Sequence, residues 1–119
     1  MMVDEPSTRL VINIRYTKDY AQVDHDVYEG EVRMTQEQQD QYAWALGDGN
    51  ASVTVGRELS ESDYGNGGKV FVSVTLKCGQ NSTQIEYALQ LAKKLSELRA
   101  WEAHQEMKNQ LVERGILKP

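Results

Sequence analysis

The chain has 119 residues and a mass of 13.5 kDa, which is enough for one domain of ordinary size. Its 39% hydrophobic and 26% charged residues are typical of a globular protein and exclude a disordered, collagen-like or membrane-spanning chain. The net charge of −5 argues against a dedicated binder of duplex DNA, because such domains usually carry net positive charge.

Two strands are predicted near the N-terminus. Apolar side chains at every second position from Leu10 to Tyr16 are typical of a half-buried strand, and a similar alternation from Val27 to Met34 predicts a second. The segment between them, TKDYAQVDHD, is polar and is interpreted as a long connection. The two strands fit a hairpin, although its loop would be longer than the usual two to five residues.

The middle of the chain predicts a short helix followed by a hairpin. Thr35 and Gln38 have the spacing of a capping box, and Gly47 follows a one-sided apolar run, so a helix is predicted over Gln36 to Leu46. Alternation then predicts a third strand from Ala51 to Leu59 and a fourth from Val70 to Cys78. The intervening ESDYGNGG is interpreted as a loop, and the two strands are expected to pair.

A long helix is predicted to end the chain. No glycine or proline interrupts residues 83–113, and the apolar stripe of the first half, from Ile85 to Leu98, suffices to cover a sheet. Beyond Arg99 the stripe is thinner and rotated by about 90° at 100° per residue. The helix either bends near Ala100 and folds back, or continues as a straight arm over residues 99–119, and the straight arm is favoured.

A protruding arm would present a contact surface to another protein or to a second copy of the chain. Trp101 lies off both stripes, and an exposed tryptophan is a common interface anchor, although it could equally pack inside its own chain. The residues predicted to form the protein interface are Tyr64, Trp101, Met107 and Leu111.

The sequence offers little to a catalytic or metal site. Asp24, His25 and Asp26 are adjacent, and on an extended chain neighbouring side chains point in opposite directions, so they would not bind one metal ion together. His104 has no His or Cys one helical turn away that could act as a second ligand. The Gly65 to Lys69 loop does not have the spacing of a phosphate-binding loop. Cys78, the single cysteine, is predicted to be a buried thiol, and its inability to form an internal disulfide fits a reducing cytoplasm. No catalytic residue, metal or cofactor is predicted.

Single-stranded nucleic acid is the alternative ligand. A sheet face that carries cations and an aromatic side chain can hold single strands by charge and stacking. The residues predicted to form such a face are Arg15, Arg33, Phe71 and Lys77. Glu29, Glu31 and Glu58 are expected on the same surface, which weakens it.

The segment from Arg57 to Leu95 resembles small uncharacterised proteins encoded by tailed bacteriophages and prophages. The matching residues are Arg57, Glu58, Asp63, Tyr64, Val70, Val72, Val74 and the helix from Gln84, in a pattern of tyrosine-glycine hairpin, valine-rich strand and long helix. The resemblance covers about a third of the chain. It implies a phage origin and a non-enzymatic accessory role, and it assigns no binding residue.

We therefore predict a single α+β domain over residues 1–119 of order β-β-α-β-β-α, with an antiparallel four-stranded sheet under the long helix. The predicted function is that of a small cytoplasmic interaction protein that binds a protein partner and self-associates through its C-terminal helix, without contact with a membrane.

Overall fold

The structure, a computed structural model, describes residues 8–119. Four antiparallel strands form one sheet, and two helices lie on one face of it, so the predicted α+β class is confirmed. The elements are β1 (Thr8–Lys18), β2 (Ala21–Gly30), α1 (Gln36–Leu46), β3 (Ala51–Asp63), β4 (Asn66–Cys78) and α2 (Ser82–Glu113). Their order across the sheet is β2-β1-β4-β3, which places β2 and β3 at the edges. Residues 1–7 of the predicted domain lie outside the described residues.

The prediction for the second strand was wrong in position. The observed β2 begins at Ala21, directly opposite Lys18, so β1 and β2 are joined by a two-residue turn. The turn residues Asp19 and Tyr20 have φ values of 53° and 65°, and positive φ at both positions is what a type I′ hairpin turn requires. The sequence concealed this turn because Tyr20 stands at the second position, where a type I′ turn usually has glycine.

Helix α1 has the predicted bounds. The Thr35 hydroxyl accepts a hydrogen bond from the Gln38 backbone amide, and the Gln38 side chain accepts one from the Thr35 amide, which completes the capping box. At the other end, the Gly47 backbone amide donates to the carbonyl of Ala43 and φ at Gly47 is positive.

The predicted pairing of β3 with β4 is confirmed, but both strands are longer than predicted. Most of the segment ESDYGNGG continues the two strands, and the turn between them consists of Tyr64 and Gly65 alone, with φ values of 50° and 85°. Each strand therefore has 13 residues and a length of about 43 Å.

Helix α2 is continuous over 32 residues, and Asn81 caps it in a capping box with Gln84. The prediction that its second half protrudes was wrong. Ala100, Met107 and Leu111 are completely buried, because the extended β3–β4 hairpin is nearly as long as the helix of about 48 Å and supports it along its length. At Gly68, the absence of a side chain lets Met107 pack directly on the strand.

The core lies between α2 and the β3–β4 half of the sheet. The inward-facing side chains of β4, at Val70, Val72, Val74, Leu76 and Cys78, are completely buried beneath the helix. Helix α1 packs beside the first half of α2, where Tyr42 and Ala45 are buried. The rest of the β1–β2 face has no such cover from the described helices.

Candidate protein-binding groove

One long helix covers only half of this sheet. Strands are spaced by about 4.8 Å and a helix with its side chains is about 10 Å across, so α2 covers two strands out of four. It packs on β3 and β4, and α1 covers only the end of the sheet where β4 finishes. On the uncovered face Ile12 and Ile14 are partly buried, and Tyr28 is 55% exposed.

The uncovered face is the floor of a groove of about 550 Å³ between the β1–β2 hairpin and the flank of α2. The floor consists of five apolar or aromatic side chains: Leu10, Ile12, Ile14, Tyr16 and Tyr28. Leu10 and Tyr16, at its two ends, are buried, so Ile12, Ile14 and Tyr28 form its accessible part. Asp26, Glu31, Arg33, Arg99, Glu102, Ala103, Glu106 and Gln110 complete the lining. We call this surface the β1–α2 groove.

The rim of the β1–α2 groove is acidic. Its charged residues comprise four carboxylates, of Asp26, Glu31, Glu102 and Glu106, and two guanidinium groups, of Arg33 and Arg99. Arg99 donates a hydrogen bond of 2.9 Å to Glu102, so part of its charge is neutralised within the rim. The groove therefore combines an apolar floor with an excess of negative charge at its sides.

An ion pair closes the groove at the end nearest the hairpin turns. The Arg114 guanidinium donates a 2.6 Å hydrogen bond to Asp24 and lies 4.4 Å from the centre of the Tyr16 ring. The hydrogen bond from Arg114 lowers the pKa of the Asp24 carboxyl and raises the pKa of Arg114. Burial, together with the neighbouring Asp26 carboxylate, raises the pKa of the Tyr16 phenol. The Tyr16 phenol is therefore uncharged, and the ion pair of Asp24 and Arg114 covers its ring at this end of the groove.

The four residues predicted as a protein interface do not form one surface. Tyr64 is 90% exposed at the tip of the β3–β4 hairpin, and Trp101 is 59% exposed on α2. Met107 and Leu111 are completely buried beneath the same helix, so they cannot contact a partner. The rotation of the apolar stripe reflects the path of α2 across the twisted sheet rather than a second surface.

The predicted nucleic-acid residues lie on the opposite face of the sheet, with one exception. Phe71 and Lys77 are outward-facing residues of β4, and Arg15 lies directly opposite Lys69 in the β1–β4 pairing. Arg33 follows β2 and lines the β1–α2 groove instead, which corrects its predicted position. Its misplacement follows from the predicted bounds of the second strand, which extended to Met34.

The histidines and the cysteine have structural partners. His25 contacts the Asn13 side chain on the outer sheet face, and His104 lies 3.2 Å from a carboxylate oxygen of Glu61. Cys78 is completely buried, as predicted, and burial raises the pKa of its thiol. Within residues 8–119, no group of three or more His, Cys, Asp or Glu side chains has a geometry that could hold a metal ion.

The β1–α2 groove was not predicted from sequence, although four of the five residues of its floor were predicted to share one apolar face. Alternation identified Leu10, Ile12, Ile14 and Tyr16 as one apolar face. The groove follows from the relative widths of helices and sheet: one long helix and one helix of 11 residues cannot cover four strands of this length.

Comparisons of the chain with protein-family models, with curated proteins and with solved structures give no match. Neither of the two described helices has the length and apolar character needed to cross a membrane. The groove and the two sheet edges are thus the features on which a functional proposal rests.

Proposed function

We propose that this protein is a non-enzymatic interaction module whose β1–α2 groove binds one amphipathic α-helix of a protein partner. The observation that supports this proposal is the open strip of sheet beside α2. It has the width of one helix, an apolar floor and no covering helix among the described elements. A bound helix would complete the layer of helices that α2 begins, in the way that sheets of α+β domains are normally covered.

The floor sets the length of the occupant. The buried Leu10 and Tyr16 mark the two ends of the floor, and the seven residues from one to the other span six steps of extended strand, or about 20 Å. A helix of this length has about 13 residues and three to four turns. Apolar side chains at positions i, i+3, i+4 and i+7 of the partner would lie on Ile12, Ile14 and Tyr28.

The rim sets the charge of the occupant. Glu102 and Glu106 lie one turn apart on α2, and Asp26 and Glu31 lie on the β2 side of the groove. A partner helix with lysine or arginine beside its apolar stripe would pair with these carboxylates on both sides. Such charges favour correct orientation and rapid association more than they add affinity.

The resemblance to phage and prophage proteins supports a setting for this activity. A phage-encoded module of this kind would act in the cytoplasm of the infected cell, by occupying a surface of a host or phage protein rather than by chemistry. The floor and the rim define the class of segment that this partner presents.

A library of displayed 13-residue helical peptides tests the proposal without knowledge of the natural partner. Selection on the wild-type protein should enrich peptides that have one apolar stripe flanked by Lys or Arg. The selected peptides should lose at least tenfold in affinity for Tyr28→Glu and for Glu102→Lys/Glu106→Lys, since these replace the floor and the rim.

The matched control is Tyr20→Glu, the same change at a tyrosine 86% exposed at the β1–β2 turn. It should leave peptide affinity unchanged. Enriched peptides that bind Tyr28→Glu as tightly as the wild type would place the binding surface elsewhere and reject the groove.

A second candidate function is single-stranded nucleic-acid binding on the outer sheet face. The observation in its favour is the cross-strand pair of Arg15 and Lys69 next to Phe71, whose ring is 44% exposed. Two acids moderate this face: Glu29 pairs with Arg9 at 3.2 Å, and Glu58 lies 3.5 Å from Lys69. Anisotropy with a labelled oligothymidine in a salt series tests it, and Arg15→Glu and Phe71→Ala should abolish any signal.

A further inference from the structure

The two edges of the sheet differ in how they are protected against pairing with another strand. On the β2 edge, the carboxylates of Asp24 and Asp26 are on the helix side of the sheet, and the β1–β2 register shifts between Tyr16 and Thr17. Inward-pointing charges and bulges are devices that prevent edge-to-edge association. The β2 edge is therefore blocked.

The β3 edge has no such irregularity in residues 51–63, and its two charges on the helix side, Arg57 and Glu61, are opposite in sign, whereas Asp24 and Asp26 of β2 are both acidic. It has 13 residues, against a usual strand length of about five or six, and it contains no proline or lysine. Its pairing with β4 is regular from Ala51 opposite Cys78 to Asp63 opposite Asn66. A long, regular edge whose inward charges are opposite in sign is a template for a second strand that can pair with those charges.

We propose that β3 pairs with β3 of a second copy of this chain in antiparallel orientation, so that two molecules share one continuous eight-stranded sheet. A two-fold axis at Leu59 places Leu59 opposite its own equivalent. In the same register, Arg57 of each copy lies opposite Glu61 of the other copy. All three residues lie on the helix side of the strand, so each dimer gains two cross-strand pairs of opposite charge.

The side chain of Arg57 is incompletely satisfied within one molecule. Its guanidinium lies 3.8 Å from Glu97, and its Nε atom is buried without a hydrogen-bond partner among the described residues. Glu61 contacts His104 at 3.2 Å and Lys108 at 3.7 Å. A second carboxylate beside Arg57 supplies the acceptor that the single molecule does not.

Helix α2 has the right position to take part in this dimer. It lies over β3 and β4, and with strands about 4.8 Å apart the two α2 axes would be about 10 Å from each other. Helices that pack side by side have axes 8–10 Å apart. Pairing of the strands therefore brings the helices to contact distance without adjustment of either molecule.

Trp101 lies on the side of α2 that would meet the second helix. It is one turn from Glu97 and nearly one turn from His104, which contact Arg57 and Glu61 of β3 respectively. These contacts place Trp101 level with Leu59, at the two-fold axis. The proposed dimer covers this 59%-exposed indole with its own equivalent, which accounts for an otherwise unpartnered aromatic side chain on α2.

The dimer is independent of the groove, because β3 forms one edge of the sheet and the groove lies over β1 and β2 towards the other edge. Both grooves stay open in the dimer. A failure of peptide binding would leave the dimer intact, and a monomeric protein would still be able to bind one helix.

Complementary charge variants test the register. In Arg57→Glu the interface places glutamate opposite Glu61, and in Glu61→Arg it places arginine opposite Arg57. Each variant alone should self-associate at least about tenfold more weakly than the wild type in sedimentation equilibrium. An equimolar mixture should form a heterodimer, since both cross-strand pairs are then of opposite charge. Arg9→Glu, a change of equal charge on β1, should dimerise as the wild type does.

Hydrogen exchange of the unmodified protein provides a second measurement that does not depend on the folding of variants. Raising the protein concentration from about 1 to 100 μM should slow exchange of amides in residues 55–63 and leave those of β2 unchanged. A wild-type protein that is monomeric at 100 μM overturns the proposal. So does concentration-dependent protection of β2, or single variants that dimerise as tightly as the wild type.

Discussion

The sulfur of Met107 lies directly above Gly68, where a Cβ atom on the strand would come within 2.7 Å of it and within 2.6 Å of the Arg15 carbonyl oxygen. The second half of α2 therefore rests on the backbone of β4. This contact holds the helix close to the sheet at the end where the strands were expected to have finished.

Gly68→Ala should destabilise the protein by about 1–3 kcal/mol, because the added methyl group forces the helix or the neighbouring strand to move. Urea denaturation measures the change in free energy of unfolding. Ser60→Ala, at an exposed position of β3, is the control and should change it by less than about 0.5 kcal/mol. Equal stability of Gly68→Ala and the wild type would mean that α2 is packed more loosely here.

Leu111 is completely buried although it lies near the end of the longest helix. Leu111→Ala should cost about 2–5 kcal/mol through lost burial and the cavity that remains. Leu98→Ala, the same change at a leucine 50% exposed on the same helix, should cost less than about 1 kcal/mol. Similar values for the two variants would contradict the packing of the C-terminal half of α2 against the sheet.

Tyr64 has a φ of 50°, a conformation that is costly for a residue with a bulky side chain. Tyr64→Asn creates the Asn-Gly pair that type I′ turns prefer, and it should stabilise the protein by about 1 kcal/mol. Thermal unfolding measures the effect. Tyr64→Val, which introduces a β-branched residue, should shift the melting temperature in the opposite direction.

The ion pair of Asp24 and Arg114 should make stability dependent on pH in the acid range. Because the pKa of Asp24 is lower in the folded protein than in the unfolded chain, the pair stabilises the fold above the ordinary carboxyl pKa of about 3.9. That contribution disappears as pH falls through the lower, folded value. Asp24→Asn should be less stable than the wild type at pH 7, and the difference should vanish in strong acid.

Arg114→Gln gives an independent check of this ion pair. The double variant Asp24→Asn/Arg114→Gln should lose less stability than the sum of the two single variants, because both remove the same contact. Additive losses would show that the two side chains act separately in solution.

Cys78 should be unreactive in the folded protein. It has no exposed surface, and burial raises the pKa of its thiol, so little thiolate is available to a thiol reagent. Its labelling rate should rise with urea in parallel with unfolding. Rapid labelling in the absence of denaturant would show that β4 separates from α2 by a local opening.

The local elements of this fold could be predicted because their signals are local. Alternation identified the inward-facing residues of β4 through Cys78, and the capping box of Thr35 and Gln38 fixed the start of α1. Both signals involve residues within a few positions of one another. They do not depend on where other elements lie.

The turns and the surfaces could not be predicted in the same way. Asp19 and Tyr20 form a tight turn because neighbouring strands hold them there, and the Tyr20 amide donates to the carbonyl of Gly65 in the second turn. With the turns misplaced, the strands were predicted too short, and the buried Met107 and Leu111 were assigned to a free arm. The groove depends on the relative widths of helix and sheet, which are properties of the assembled fold.

The strand order β2-β1-β4-β3 also bears on how the chain folds during synthesis. The β3–β4 hairpin and α2 form one unbroken stretch of sequence, whereas Leu10 of β1 finds its partner Val74 only after the intervening residues have been made. At 5–20 residues per second, the first hairpin leaves the ribosome about 2–10 seconds before β4 does, because 48 residues separate the ends of β2 and β4. During that time the apolar face of the β1–β2 hairpin is exposed to solvent. We expect the β1–β2 hairpin to fold last and to be the segment that a chaperone would hold.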